Sequence, residues 1–143
     1  MARIKLDLPE KFAASFKIPV RISDINYGNH VGNDAIVSII HEARMQFLKQ
    51  HGYTELNIEG NGLIMADLAV EFKKESFYGD LIEVKMAFDN ITKISFEIFY
   101  SLQVIKENVG AEIAKAKTGM VCYDYKNKKV TSLPEKFLAI LKA

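Results

Sequence analysis

The arrangement that most constrains this fold is one long amphipathic helix followed by four β-like runs with only short turns between them. The runs cover residues 63–73, 81–89, 93–105 and 111–125. Tyr78-Gly79-Asp80, Asp89-Asn90, Asn108-Val109-Gly110 and Asn127 supply the turn signals between and after them. Phe96, Ile98 and Tyr100 alternate with Ser95, Glu97 and Ser101, the pattern of a half-buried strand. The helix is expected over residues 34–51. Ala35, Ile36, Ile39, Ile40, Ala43 and Phe47 cover one side of it, and Gly52 ends it. A further strand is expected at 15–22, a polar loop at 55–62, and a short terminal helix at 133–141 with Pro134 at its start. Together these predict an α+β domain in which an antiparallel sheet packs on, and curves around, a single helix. With 143 residues and no linker, repeat or low-complexity stretch, the chain reads as one domain, 1–143.

The junction between the first strand and the helix is the place for chemistry. It reads Asp24-Ile25-Asn26-Tyr27-Gly28-Asn29-His30-Val31-Gly32-Asn33. It delivers an Asn, a His and several backbone N–H groups to a helix N-terminus, where the unpaired N–H groups and the helix dipole attract negative charge. An oxyanion is one charge that can use them. A plain capped loop, with Asn33 or Asp34 as N-cap, is the bland alternative.

Composition removes several classes of function. About half the residues are apolar (49%) and the formal net charge is +1, so no polyanion binder is indicated. The basic cluster Lys126 to Lys129 reads as a solvated hairpin. Cys122 is the single cysteine. It precludes an intrachain disulfide, fits a reducing cytoplasm, and sits in an apolar run that favours an inert thiol. No apolar stretch reaches membrane-spanning length. His30, His41 and His51 share no metal-ligand spacing with Cys122, so no metal is expected.

The loop, with the following His41-Glu42-Ala43-Arg44, resembles the hotdog-fold acyl-CoA thioesterases of the 4-hydroxybenzoyl-CoA thioesterase type. In that family a strand ends in D-x-D, followed by G-H-V-N-N and then E-A-R. Val70-Glu71-Phe72-Lys73-Lys74, Tyr78-Gly79-Asp80 and Thr92-Lys93-Ile94-Ser95-Phe96 resemble its later strands, in order, from about Val20 to Asp124. The resemblance implies a hotdog fold, a five-stranded antiparallel sheet wrapped around one central helix with strand order 1-3-5-4-2. It implies a homodimer joined sheet edge to sheet edge, often paired again into a tetramer. It also implies an acyl-CoA or acyl-carrier-protein thioester as partner, with coenzyme A part of the substrate and no separate cofactor.

Thioester hydrolysis needs a positioned water, donors for the developing oxyanion, and grips on the acyl and carrier parts. The backbone N–H groups around His30, Val31 and Gly32 are the expected oxyanion donors, Val31 through its main chain only. By resemblance Asn26 stands where the family has its catalytic Asp, and an amide is no useful base. It can orient water, or act as a turn residue. His30 matches the family His. A histidine beside a positive helix end is expected to stay neutral, which suits a base.

Four carboxylates are candidates to replace the missing Asp. Asp24 matches the first Asp of D-x-D, usually structural. Glu42 matches the glutamate of E-A-R. Asp67 stands in the apolar run Leu63-Ile64-Met65-Ala66-Asp67-Leu68-Ala69-Val70, where an unpaired buried carboxylate is costly. Period two groups it with Met65 and Ala69, and in family dimers the second strand lines the partner's site, so Asp67 is expected to act across the interface. Glu75 closes Glu71-Phe72-Lys73-Lys74-Glu75, which resembles the E-Y-R-R-E of plant acyl-carrier-protein thioesterases, whose last Glu is a site residue. Lys73, Lys74, Lys93 and Ser95 are the expected coenzyme A contacts. Tyr27, Ile64 and Met65 are expected to line the acyl pocket, with Gly28, Asn33 and Glu42 contributing to substrate binding. Rival readings are a non-catalytic acyl-thioester-binding protein on the same fold, and a hotdog hydratase or dehydratase.

Overall fold

The computed structural model describes residues 2–143. Strand β1 (Ala14–Pro19) leads through a 3-10 turn (Ile22–Asp24) and the polar loop into helix α1 (Asn33–Gln50). Strands β2 (Gly62–Phe72), β3 (Leu81–Asp89), β4 (Ser95–Lys106) and β5 (Val109–Asp124) follow, then the short β6 (Lys129–Val130) and helix α2 (Glu135–Lys142). The sheet is antiparallel, in the order β1-β3-β4-β5-β2, with β6 paired to β5. This corrects the expected order 1-3-5-4-2. Short turns join β3 to β4 and β4 to β5, so each pair forms a hairpin and the three lie side by side.

Helix α1 lies in the curve of the sheet. Its Ile36, Ile39, Ile40, Ala43, Phe47 and Leu48 are buried against Ile82, Val84 and Met86 of β3, Phe96, Ile98 and Leu102 of β4, and Ala114, Ala116 and Met120 of β5. Each large apolar side chain contributes about 1.5–3 kcal/mol by leaving water, and this core holds the helix to the sheet. Gly52, at φ +80, terminates the helix as expected, with its N–H donating to Lys49 O. At the other end the N-cap is Gly32, not Asn33 or Asp34, and no side chain caps the helix. The first strand stops at Pro19, short of the expected residue 22, because the chain turns in the 3-10 segment.

Among the described residues the two edges of the sheet, β1 and β2, pair with no further strand. Strand β2 pairs only with β5, and a bulge interrupts that pairing between Met65 and Asp67. The opposite edge of β2 meets no strand of the described chain. No helix of the described residues is long and apolar enough to cross a membrane.

Candidate active site

The loop before α1 is tied at both ends. The buried Asp24 carboxylate accepts the Arg21 N–H at 2.8 Å, and Asp24 O accepts the Gly32 N–H at 3.1 Å. Asp24 therefore holds the loop in shape and does not face a substrate. Within it, Asn26 and His30 close a tight turn. Asn26 N–H donates to His30 O (2.9 Å), and Asn26 Oδ1 accepts the Gly28 N–H (2.9 Å). Asn29, at φ +64, turns the chain in the left-handed conformation that Asn tolerates. The amide oxygen of Asn26 is thus engaged in its own turn.

One contact brings a second segment to this loop. Val31 N–H donates to Ser76 O at 2.8 Å, which fastens the stretch after β2 against the start of α1. Lys73 and Lys74 both donate their N–H groups to Ile113 O, at 2.8 and 3.1 Å, which holds the same stretch on β5. The result is that Glu75 Oε1 stands 3.8 Å from His30 Nε2. His30 Nδ1 lies 3.1 Å from Val31 O, which can only accept, so Nδ1 carries the hydrogen and Nε2 is the ring nitrogen facing Glu75. These residues border a cavity of about 220 Å³ whose walls include Asn33, Ile36 and Phe72.

Of the expected donors, the His30 N–H has no partner among the described residues, but the other two are taken. The Val31 and Gly32 N–H groups are not open to an oxyanion, because Ser76 O and Asp24 O take them. The first intrahelical bond of α1 runs from Ile36 N–H to Gly32 O. Asn33, Asp34 and Ala35 therefore keep their N–H groups without a partner among the described residues, and of the three Asn33 shares the wall of the His30 cavity. The side chain of Val31 packs in the core, as expected.

Several expected residues lie elsewhere in the chain. Asp67 is on the sheet face turned away from α1. It accepts from Lys117 Nζ at 2.9 and 3.1 Å and from the Gly119 N–H at 2.9 Å, and Lys117 also reaches Glu97 at 2.6 Å. The bulge at Ala66 is the reason: it breaks period two, so Met65 stays on the helix face opposite the buried Met120 while Asp67 crosses to the face of Gly119. Lys117 first, and the Gly119 N–H after it, hold the Asp67 carboxyl below the ordinary range. Tyr27 is fully exposed at the loop tip and lines no acyl pocket in this chain. Glu42 is exposed and accepts from Gln46 at 2.8 Å, leaving Arg44 to another partner. Lys93 and Ser95 sit by the β3–β4 turn, at the end of the sheet opposite Phe72, with Ser95 Oγ bonded to Thr92 Oγ1 at 2.7 Å. Of the expected coenzyme A contacts, only Lys73 and Lys74 adjoin His30, and Lys73 also pairs with Glu112 at 3.6 Å.

Residues 20–141 match the family model described as the Thioesterase-like superfamily. The chain belongs to that superfamily. A curated protein of Aquifex aeolicus (strain VF5), named "Putative esterase", is 32% identical over 103 residues, covering 71% of this chain and 76% of that protein. Among solved structures, the 1,4-dihydroxy-2-naphthoyl-CoA thioesterase of Synechocystis superposes with a TM-score of 0.80 at 19% identity, covering 90% of this chain and 94% of that one. A gentisyl-coenzyme A thioesterase superposes with a TM-score of 0.76 at 18% identity, covering 90% and 99%. At those identities the structural likeness establishes the hotdog thioesterase fold, and the family match establishes the membership.

For this member of the thioesterase-like superfamily, sequence reasoning missed a buried polar chain. Arg44, 5% exposed, donates from Nε to Glu55 Oε2 (3.1 Å) and from Nη1 to Tyr100 OH (3.2 Å), and Tyr100 OH bonds Thr118 Oγ1 (2.8 Å). The exposed His41 joins from the other side through Glu55 Oε1. Burial disfavours the Arg44 charge, but Tyr100 and Glu55 outweigh it and raise the pKa above the ordinary value. Burial pushes the Tyr100 phenol up as well. The one available signal was His41 and Arg44, a turn apart on a helix whose apolar stripe runs between them. Cys122 is buried, and burial raises its thiol pKa, in keeping with an inert side chain.

Proposed function

We propose that the chain hydrolyses an acyl-CoA thioester to the free acid and coenzyme A at the start of α1. The observation that carries this reading is His30 Nε2 facing Glu75 in a cavity shared with Asn33, at the end of α1 whose first N–H groups are unpartnered among the described residues. His30 Nε2 removes a proton from a water as the water oxygen adds to the thioester carbon. Negative charge then collects on the carbonyl oxygen, which the N–H groups of Asn33, Asp34 and Ala35 and the helix dipole stabilise. The carbon–sulfur bond breaks as the carbonyl re-forms, and the imidazolium returns its proton to the leaving thiolate. Glu75 favours the imidazolium in between. In this reading Glu75 does the carboxylate's work that Asn26 cannot do, while Asn26 shapes the turn. Lys74, without an ion pair among the described residues, and Lys73 are placed to meet carrier phosphates. Coenzyme A as the carrier is supported by the two structural neighbours named above.

The active unit is proposed to be a homodimer formed through β2. This edge is eleven residues long, leaves Met65 45% and Phe72 39% exposed, and adjoins the His30 cavity through Phe72. A long apolar edge of this kind is a template for another strand. Ala66→Pro should yield a monomer by light scattering after gel filtration, and an unchanged mass would refute the pairing.

The deciding test is thiol release from short, long and aromatic acyl-CoAs by the wild type beside His30→Ala. Turnover that collapses in the variant supports hydrolysis at this site. One observation favours a second reading: Asn26 at the family's Asp position, with its oxygen engaged by Gly28. Saturable acyl-CoA binding with no turnover on any substrate would select that reading, a binding protein without catalysis.

A further inference from the structure

The stretch between β2 and β3 that carries Glu75 contains no helix or strand, so its path depends on hydrogen bonds to its neighbours. Glu75 is held by none of its own. Its side chain is 64% exposed, its one ion-pair partner is His30, and its main chain makes no hydrogen bond among the described residues. Where the Glu75 carboxylate stands is therefore decided by the residues on either side.

On one side Lys73 and Lys74 donate their N–H groups to Ile113 O. On the other side the anchor is Ser76, which is 2% exposed. Its carbonyl accepts the Val31 N–H at 2.8 Å, and its hydroxyl donates to Asp80 Oδ2 at 3.0 Å. The same carboxylate oxygen accepts the Phe77 N–H at 2.9 Å. Asp80 is itself built into the fold. Its N–H donates to Phe77 O at 3.1 Å, closing a turn in which Gly79 takes φ +86, a left-handed value that suits glycine. Its carbonyl accepts the Val20 N–H at 2.8 Å, which moors the turn to the chain just after β1.

A buried hydroxyl is costly unless it is bonded, and a bond to a carboxylate is of the stronger kind. Ser76 borders the His30 cavity, but its hydroxyl hydrogen is committed to Asp80, so it takes no part in the proton transfer at His30. Its place in the chain, next to Glu75, gives it another use.

Resting on the thioesterase reading above, we propose that Ser76 and Asp80 are positioning residues for that reaction, the bond between them holding Glu75 at the His30 ring. Glu75 Oε1 and His30 Nε2 are 3.8 Å apart, beyond a direct hydrogen bond, so no bond between the two fixes their separation. The backbone on either side of Glu75 must fix it instead. A misplacement of about 1 Å is enough to cost a large factor in rate.

The test is a double-mutant cycle read by thiol release from acyl-CoA, each protein first checked for a cooperative thermal transition. Ser76→Ala should lower kcat by about three- to tenfold with KM little changed, and by no more than Glu75→Gln does. In the Glu75→Gln background the same substitution should change kcat by less than about twofold, because no charge remains to be positioned. Asp80→Ala should behave like Ser76→Ala. Asp80→Asn keeps an oxygen that accepts from Ser76 Oγ and the Phe77 N–H, and should recover most of what Asp80→Ala loses. A loss of equal size in both backgrounds would mean a merely structural role and overturns the proposal. So does a Ser76→Ala enzyme with wild-type kcat.

A second readout needs no turnover. The pH titration of the His30 ring nitrogens, followed by NMR, should differ between wild type and Glu75→Gln, and Ser76→Ala should carry it toward the Glu75→Gln curve. If Ser76→Ala keeps the wild-type curve, or if Glu75→Gln leaves that curve unmoved, the positioning role is refuted. If the wild type hydrolyses no acyl-CoA, the thioesterase reading fails separately, and the NMR curves still decide whether Ser76 sets the Glu75–His30 pair.

Discussion

Two carboxylates at the two ends of one short segment, Asp67 and Glu75, meet opposite fates. Asp67 is within β2, accepts from Lys117 and Gly119 N–H, and stands on the sheet face away from the helix. Glu75 lies just beyond β2, 64% exposed, with His30 as its one ionisable neighbour within 4.0 Å among the described residues. Asp67 is neutralised where it stands, whereas Glu75 has its charge directed at an imidazole in a cavity. A carboxylate is useful to catalysis when its partner is the group whose protonation changes during the reaction, and an ion pair with a lysine removes it from that role.

The largest effect that would sharpen this contrast is expected at His30. His30→Ala should lower kcat/KM for acyl-CoA by about 10²–10⁴-fold, the range for losing a general base. Retention of more than a tenth of the activity would remove His30 from the chemistry. Glu75→Gln keeps the shape and deletes the charge, so it tests the partnership itself. A drop of roughly tenfold in kcat, with KM little changed, is expected for a group acting through His30. If Asp67→Asn proved the more damaging of the two, the comparison would be inverted, and the expectation that Asp67 serves a site across the interface would be restored.

What was legible in the sequence follows the reach of each signal. Periodicity reports local burial, so the bounds of α1 and of β3 fell within a residue of expectation, and Gly52 marked the helix end. Strand order is a long-range property that periodicity does not encode, and the order taken from the resemblance was wrong for the two strands that form successive hairpins. At the site, His30 and Glu75 were both legible as residues but not as a pair. The Val31–Ser76 bond that joins their segments is between main-chain atoms, and no side chain announces it. Asp67 was misplaced because one inserted residue, Ala66, shifts every later side chain of β2 to the other face. Lys93 and Ser95 matched a motif whose position in space depends on a turn at the wrong end of the sheet for this chain's own loop.

The smallest predicted effect concerns what Asp67 does instead. Lys117 holds both Asp67 and Glu97 below the ordinary carboxylate range, and in return its own pKa is raised, by Glu97 first and Asp67 second. A depressed carboxylate contributes stability that is present above its unfolded value of about 3.9 and lost as pH falls through the folded value. The raised lysine contributes stability that is present below its unfolded value of about 10.4 and lost only as pH climbs through the folded one, so it is constant through neutral and acid pH. Asp67→Asn should therefore be less stable than wild type at pH 7, by less than about 1 kcal/mol, because exposed pairs are screened by solvent. The gap in urea midpoints should begin to narrow as the pH falls below about 5, where Asp67 of the unfolded chain starts to take up its proton, and should go on narrowing until the depressed folded carboxyl is protonated as well. Activity at pH 7 should stay within about threefold of wild type, since surface changes away from a site have small effects. A stability gap that persists undiminished at pH 3 would mean that the bond to the Gly119 N–H, not the charge, is what Asp67 supplies. That outcome would still separate it from Glu75, whose effect is expected on turnover and not on folding.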